Sequence, residues 1–588
     1  PDGTLHVAWD EYDGQSYNVL ERSWRENQWS EIRMIADGPA FEANAQIASD
    51  KNGKIFISWE EDGVNWGKHY VPRIPGDKKS TKMTDETGPL HRFRKLHLAE
   101  LDEKKMALKE YELPMPSVAL AQNRTHAPSG LKNYGAFYER GQLALDGQNR
   151  PWILYRHFYT PLVGIVPETH KQDNARLYGR CLLTNGWSKL FSLSEGQGDG
   201  LQRIFVNPQT NGIAVAFTTG RTDRRKSDKP RGVALAEIKL TGTSAKIPAT
   251  TKMTSLTEMK NSRWQKRLRP EFDFAGKRYE LFMGDLHRHT DISLCFSPSD
   301  GTIDDAYRYG IDAGGLDFLG ITDHTHDLAF GDGLSLIWWR SRKEVNRHQL
   351  AETFFPFYSY ERSRADTDHN VISLRADMLR PHTYPLTQFW QELDTNTFTI
   401  PHQPFNRILW NYKDNAHRPL LEIYQGFRND ARESDANEGL MRGHQFGIIA
   451  SSDHLSTRAS FACVWAEKKD REGIFRAMQA RRTYGATAKI YLRVTCGEHW
   501  MGESFSAKQM PPVKVELEKS APISNVDLFI DGIFKTGLTD IFQSKEGDFK
   551  YEFPPDKSLT GQHIFYVRVK LANGNRAWSS PLWVNLAP

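Results

Sequence analysis

The chain has 588 residues, more than one ordinary domain holds, so about three domains are expected. It is 39% hydrophobic and 26% charged, and no apolar run approaches the ~18 residues of a membrane span. With 77 basic against 73 acidic residues the net charge is +4, too small to call for a nucleic-acid partner.

The four cysteines, Cys181, Cys295, Cys463 and Cys496, lie far apart with no CxxC pair. That spacing argues against both a thiolate zinc site and a disulfide framework. The sequence opens at Pro1 inside a β-type repeat, which predicts a processed or truncated N-terminus.

Residues 1–245 are repetitive. Asp2-Gly3-Thr4-Leu5-His6-Val7-Ala8-Trp9 recurs at a shift of 50 (52 minus 2) as Asn52-Gly53-Lys54-Ile55-Phe56-Ile57-Ser58-Trp59. Each copy is a turn followed by an alternating strand. Variants recur at Asp146-Gly147 with Trp152-Ile153-Leu154-Tyr155, and at Asn211-Gly212 with Ile213 to Phe217. Separately, Asn27-Gln28-Trp29-Ser30 matches Asn185-Gly186-Trp187-Ser188 at a shift of 158 (185 minus 27), the shift that also relates Trp59 to Phe217. Two motifs with one offset predict blades of about 50 residues, and hence a β-propeller, with an irregular β-sandwich as the alternative. Sixteen Trp and 21 Tyr suit β-rich cores and sugar-stacking surfaces alike. Residues 84–132 fit the period poorly, and the Glu- and Lys-rich run from Leu98 to Leu108 reads as a short helix. Thr219 to Arg231 is a basic hairpin tip, and residues 246–274 read as a polar linker.

From 275 to 488 strands alternate with helices. Strands are predicted at Leu281–Asp285, Phe318–Thr322, Phe354–Tyr360, Val371–Leu374, Phe398–Pro401, Leu420–Tyr424 and Phe446–Ala450. Helices are predicted from Ile303, capped by Thr302, and over Leu334–Glu352, Leu386–Leu393 and Arg471–Arg482. This alternation implies a parallel sheet, closed as a barrel. Residues 489–588 return to short strands with Asp531-Gly532 and Asn573-Gly574 turns, which fits a small immunoglobulin-like sandwich.

The chemistry concentrates in the middle region. Gly284-Asp285-Leu286-His287-Arg288-His289-Thr290 ends the first of its strands. Residues two apart on a strand share a face, so His287 and His289 can reach one ion. Asp323-His324, Glu361, His369, His402 and Asp453-His454 then recur at or beside later strand ends. Barrel enzymes build their sites at that rim, and this series points to a multi-metal hydrolytic centre. Asp285 and Asp323 suit the role of acceptors for imidazole N–H groups, with Asp323 a further catalytic candidate. For an anionic substrate Arg428 is the first cationic contact, followed by Arg362 and Arg364, with Tyr424 beside them. Trp338-Trp339 reads as helix core or as a pocket wall.

The motifs GDLHRHT from Gly284, GLDFLGITDH from Gly315, the strand-closing Glu361, Ile400-Pro401-His402 and Ser451-Ser452-Asp453-His454 together resemble the PHP superfamily. These are metal-dependent phosphoesterases named for polymerase and histidinol phosphatase. The arrangement looks like a bacterial branch with β-propeller repeats before the barrel. A small β domain follows it, with a motif like Asn575-Arg576-Ala577-Trp578-Ser579-Ser580-Pro581. The resemblance covers 275–588 well and the repeats loosely. It implies a distorted (β/α)7 barrel with two or three zinc, manganese or iron ions. The first ion would take His287, His289, Glu361 and Asp453; the second would share Glu361 and add His369 and His402; the third would take His324 and His454. Asp300 is the best match for a further ligand. His454 directly follows Asp453, where the superfamily usually has Asp-x-His. The implied activity is phosphoester hydrolysis by a metal-bridging hydroxide on an anionic small molecule or glycan. Alternatives are a polysaccharide lyase or glycoside hydrolase using the same ions, and a non-catalytic glycan-binding protein. An exported, periplasmic or extracellular setting is expected.

Overall fold

The repeats read from the sequence become successive antiparallel meanders in the computed structural model. It describes residues 3–62, 94–114, 136–159, 174–193, 204–219, 232–241, 245–263, 267–290, 293, 302–324, 336–363, 367–378, 385–402, 410–426, 430–454, 460–519, 521–542 and 547–587. The chain divides into two units at Lys266/Arg267.

In the first unit, Leu5–Tyr12, Tyr17–Arg25 and Ile32–Ala36 form the first meander. Phe41–Ser49, Ile55–Asp62, Lys95–Asp102 and Ala107–Tyr111 form the second. Ala136–Leu145, Pro151–Tyr159 and Asn174–Leu183 form the third, and Ile204–Gln209, Gly212–Thr219 and Gly232–Lys239 the fourth. Two of the repeated turns share one hydrogen-bond pattern. Asp50 Oδ1 accepts from the amides of Asn52 and Lys54, both at 2.8 Å. Asp146 Oδ1 does the same for Gln148 at 3.0 Å and Arg150 at 3.1 Å. The apolar faces pack between consecutive meanders. Ile57 and Trp59 meet Val19 and Ile35, Phe56 and Leu98 meet Ile153 and Trp187, and Trp152 and Leu154 meet Ile213 and Phe217.

Two expectations for this unit fail. The run from Leu98 to Leu108 is not a helix; it supplies the end of one strand and the start of the next, with Met106 at φ 49° in the turn. Leu96 and Leu98 are buried against neighbouring strands, and that burial overrides the helix propensity of Glu and Lys. The stretch 246–274 is no plain linker. Ile247–Pro248, Thr251–Ser255 and Thr257–Met259 pair in turn with Gly186–Trp187, Ala107–Tyr111 and Ile32–Ala36.

The second unit is built on a nearly closed, barrel-like sheet. Its strands are β1 (Lys277–Arg288), β2 (Phe318–Ile321), β3 (Phe355–Arg362), β4 (His369–Ser373), β5 (Thr397–Pro401), β6 (Leu420–Gln425) and β7 (Gly447–Ser451). β1, β2 and β3 pair in parallel, as do β6 and β7. The Thr399 amide bonds the His417 carbonyl at 2.7 Å, bringing β5 beside the approach to β6. The seam between β7 and β1 is sewn by Asp453, whose amide donates to the His287 carbonyl at 2.7 Å and whose carbonyl accepts from His289 at 3.2 Å. Helices α1 (Ile303–Ile311), α2 (Leu336–Arg347), α3 (Leu386–Gln391), α4 (Glu433–Met441) and α5 (Arg471–Gln479) lie between strands in sequence. Thr302 caps α1 in a reciprocal capping box with Asp305.

The all-parallel expectation is corrected here: β4 runs antiparallel to both β3 and β5. A parallel crossover needs about a dozen residues, and the segment from Arg362 to His369 is shorter than that. The reversal carries the first residue of β4, His369, to the same rim as the last residues of β3 and β5; it faces Arg362 and Pro401 directly.

Beyond the barrel strands, Phe461–Ala466 pairs with β1 and Thr483–Ala486 pairs with Phe461–Ala466. Arg576–Ser579 then extends this sheet, joined by Gly561–Leu571 and Ile523–Ile530. A second, smaller sheet holds Tyr491–Cys496, Val513–Lys519 and Gly547–Phe553. Asp531 and Gly532 turn one hairpin with φ of 51° and 74°, the left-handed pair such a turn requires. Cys181, Cys463 and Cys496 are buried free thiols, and Cys295 lies outside the described residues. Among the described residues no helix is long and apolar enough to cross a membrane.

Candidate metal centre

Strand alternation builds this site. Phe355 and Phe357 fill the barrel interior, and two steps further Glu361 shares their face. Phe398 and Ile400 lead to His402 in the same way, Leu420 to Glu422, and Ile449 to Asp453. On β1 the register with β2 shifts between Asp285 and Arg288, where one extra residue enters β1. This bulge lets Leu286 join the interior core and still turns His287 and His289 inward.

The groups converge. Glu361 Oε2 lies 2.9 Å from His324 Nδ1 and 3.2 Å from His289 Nε2, and Oε1 lies 3.2 Å from His402 Nε2. Asp453 Oδ1 lies 3.1 Å from His289 Nε2, 3.3 Å from His454 Nε2 and 3.4 Å from His287 Nε2. The Nε2 atoms of His287 and His289 face each other at 3.2 Å. Two imidazole nitrogens at that distance share one proton at most, and lone pairs so placed repel. Donors about 2.1 Å from a tetrahedral ion stand roughly 3.4 Å apart, so these separations match the edges of a coordination shell. Three overlapping buried groups have donors close enough to hold an ion: His287–His289–Glu361, His289–Asp453–His454 and His287–His402–Glu422.

His369 is fully buried, and neither ring nitrogen has a hydrogen-bond partner of good geometry. Burial, helped by Arg418 and Arg362, pulls its pKa well below the usual histidine range, so it keeps a free lone pair. Burial pushes the Glu361 carboxyl up, but His324 and His402 outweigh it and hold the group well below its ordinary range. Asp453 is likewise raised by burial and then held far down by His454 and His287. Burial lowers His402, whereas Glu361 opposite it raises the ring, with a net shift up to about 9. Uptake of a cation at these donors would therefore release protons. Asp453 also adopts φ 64°, a left-handed backbone tolerated by Asp and fixed here by its two seam hydrogen bonds.

The other sequence-derived residues are placed as follows. Asp323 accepts from the amide and hydroxyl of Thr290, at 2.7 and 2.8 Å, and its pKa is raised by burial. Asp285 serves backbone order instead of an imidazole. It accepts from the amides of His287 and Ser452 and from the Ser452 hydroxyl, and burial pushes it up to about 7. Arg362 is buried and donates to the Thr367 carbonyl at 2.8 Å, and Tyr424 stacks on Trp578 within the core outside the barrel. Trp338 is buried against Tyr360, while Trp339 is half exposed. Asp300, Arg364 and Arg428 lie outside the described residues.

Three contacts were not anticipated from sequence. Glu422 Oε2 meets His287 Nδ1 at 2.9 Å, Ser293 Oγ meets His289 Nδ1 at 2.6 Å, and Ser363 Oγ meets His324 Nδ1 at 2.5 Å. For Glu422 a signal existed: it is the one carboxylate in the apolar run Leu420-Leu421-Glu422-Ile423-Tyr424. For the serines no signal existed, since Ser at a loop position is commonplace.

Residues 424–525 match a family described as "Protein of unknown function (DUF3604)". An uncharacterized protein of Chlamydia pneumoniae is 24% identical over 189 residues, or 28% of this chain, and the match spans 30% of that protein's own length. Among solved structures, similarity is found to a two-domain protein from Bacteroides vulgatus containing a predicted PHP-like metal-dependent phosphoesterase. It is 12% identical, covers 54% of this chain and 99% of that one, and has a TM-score of 0.31. An alpha-L-arabinofuranosidase from Lactobacillus brevis is 11% identical, covers 48% of this chain and 80% of that one, and has a TM-score of 0.22.

Proposed function

We propose that the second unit is a metal-dependent hydrolase, most simply a phosphoesterase, with a (β/α)7-type barrel of the PHP kind. The first unit is read as propeller-type repeats and the C-terminal sheets as a sandwich. One observation carries the enzyme reading: the buried carboxylates of Glu361 and Asp453 are each approached by several imidazole nitrogens, and His287 Nε2 and His289 Nε2 stand 3.2 Å apart between them. Zinc, manganese and iron all accept this nitrogen and oxygen donor set.

His287, His289, Glu361 and Asp453 would hold a first ion, Glu361, His369 and His402 a second, and His324 with His454 a third position. A divalent ion bound there supplies Lewis acidity and an acidified water at neutral pH. The protein's own part is to keep both carboxylates ionised, hold the rings rigid and exclude bulk water. Arg428 and Arg364 are the proposed contacts for substrate oxyanions.

The test is elemental analysis of the purified protein together with turnover of a chromogenic phosphate ester. Bound metal and hydrolysis, both lost in His287→Ala, are expected. Metal content unchanged in that variant would sink the reading. Unsaturated sugar products in place of phosphate release would move the chemistry to a lyase on the same ions.

A further inference from the structure

The two histidines of β1 are supported differently behind the site. His289 hands its Nδ1 to the hydroxyl of Ser293 at 2.6 Å, whereas His287 hands its Nδ1 to a carboxylate oxygen of Glu422 at 2.9 Å. Glu422 and His287 are each about 1% exposed. A buried carboxylate is costly unless it is paired, so a Glu at the centre of an apolar strand demands a partner. Its second oxygen, Oε1, lies 3.4 Å from Gln425 Nε2 on the same strand, which orients the carboxylate toward His287. The pairing also decides the tautomer. With the proton on Nδ1 facing Glu422, the lone pair of His287 sits on Nε2, which points at His289 Nε2 and Asp453 Oδ1.

We propose that Glu422 is the positioning residue of the candidate metal centre, holding His287 as the Nδ1–H tautomer and raising the basicity of its Nε2 toward a divalent cation. The proposal rests on the metal-centre reading above. Its geometric basis is the Glu422–His287 pair at Nδ1, on the opposite side of the ring from the Nε2 that meets His289 and Asp453. Carboxylate support of a ligand histidine is worth roughly 10–100-fold in metal affinity. Ser293, a neutral support for His289, contributes less.

The experiment titrates the metal-free full chain with Zn2+ against a chromogenic chelator, in the parent, Glu422→Gln, Ser293→Ala and His287→Ala. Glu422→Gln is expected to weaken Zn2+ binding about 10–100-fold while binding as many ions at saturation. Its metal-free melting temperature and far-UV spectrum should stay at the parent's values, which a merely structural role would not allow. Ser293→Ala should weaken binding less. Zn2+ affinity in Glu422→Gln equal to the parent overturns the assignment. So does the loss of one ion at saturation, which would make Glu422 a ligand beside His402. His287→Ala binding Zn2+ as the parent does overturns the metal-centre reading itself, and is told apart because Glu422 is intact in that variant.

Discussion

Two of the histidine–carboxylate clusters among the described residues follow opposite logic. In the first unit His97 sits between two acids: its Nδ1 is 2.9 Å from Glu110 Oε1, its Nε2 is 3.1 Å from Glu61 Oε2, and the ring stacks on Trp59. One imidazole stands between two carboxylates, so a proton on each nitrogen places positive charge against both acids. At the barrel rim several imidazoles crowd each carboxylate, and ring nitrogens face ring nitrogens. Protons can bridge these groups only one pair at a time, whereas a single cation would accept several of the donors at once. Composition therefore does not tell a structural cluster from a metal centre; the ratio of donors to acceptors and the direction of the nitrogens do.

The comparison can be broken most forcefully at Glu361. Glu361→Ala should reduce bound metal to background and abolish turnover, measured by elemental analysis and ester hydrolysis. The matching change in the first unit, His97→Ala, should leave metal content at the parent level. It should lower stability by about 1–3 kcal/mol, because two half-buried acids lose their shared partner; thermal melting measures this.

A pH series sharpens the contrast. Burial lowers His97, but Glu110 and Glu61 raise it to about 9. Its contribution to stability is complete below the unfolded value of about 6.5 and fades as pH rises through 9. His97 in turn lowers both Glu61 and Glu110 from their ordinary value of 4.5, so their contribution is present above 4.5 and is lost as pH falls. Amide protection factors in Lys95–Asp102, corrected for the intrinsic pH dependence of exchange, should accordingly be highest between roughly pH 4.5 and 6.5 and fall toward pH 9, and His97→Ala should flatten that alkaline fall.

The smallest effect is expected at a third cluster, Asp304, Glu344 and His348. There Arg347 Nη1 already lies 3.1 Å from Asp304 and 3.3 Å from Glu344. Arg347 is about half exposed, so Arg347→Ala should leave metal content unchanged and shift stability by less than about 1 kcal/mol.

Much of the barrel was legible because its strands are short, apolar and end in ligand-type residues. The seven predicted strands and the Thr302 cap agree with the structure to within a few residues at their ends. The direction of β4 was not legible: alternation of strands and helices suggests parallel pairing, and only the shortness of the Arg362–His369 segment argues otherwise. The bulge on β1 was also hidden, because the spacing of His287 and His289 looks the same with or without it. Leu98 to Leu108 misled because local propensity spoke for a helix while its neighbours needed strands. Glu422 was not legible because it projects from within a strand, whereas most of the ligand-type residues stand at strand ends.

Asp453 offers its main chain to the joint between β1 and β7 and its carboxylate to the donor cluster, in one residue of left-handed backbone. A cation bound at that carboxylate would link occupancy of the rim to the integrity of the joint and tighten the hoop of strands. Chelation should then be felt first as faster opening along the His287–Asp453 stitch, well before the core beneath it loosens.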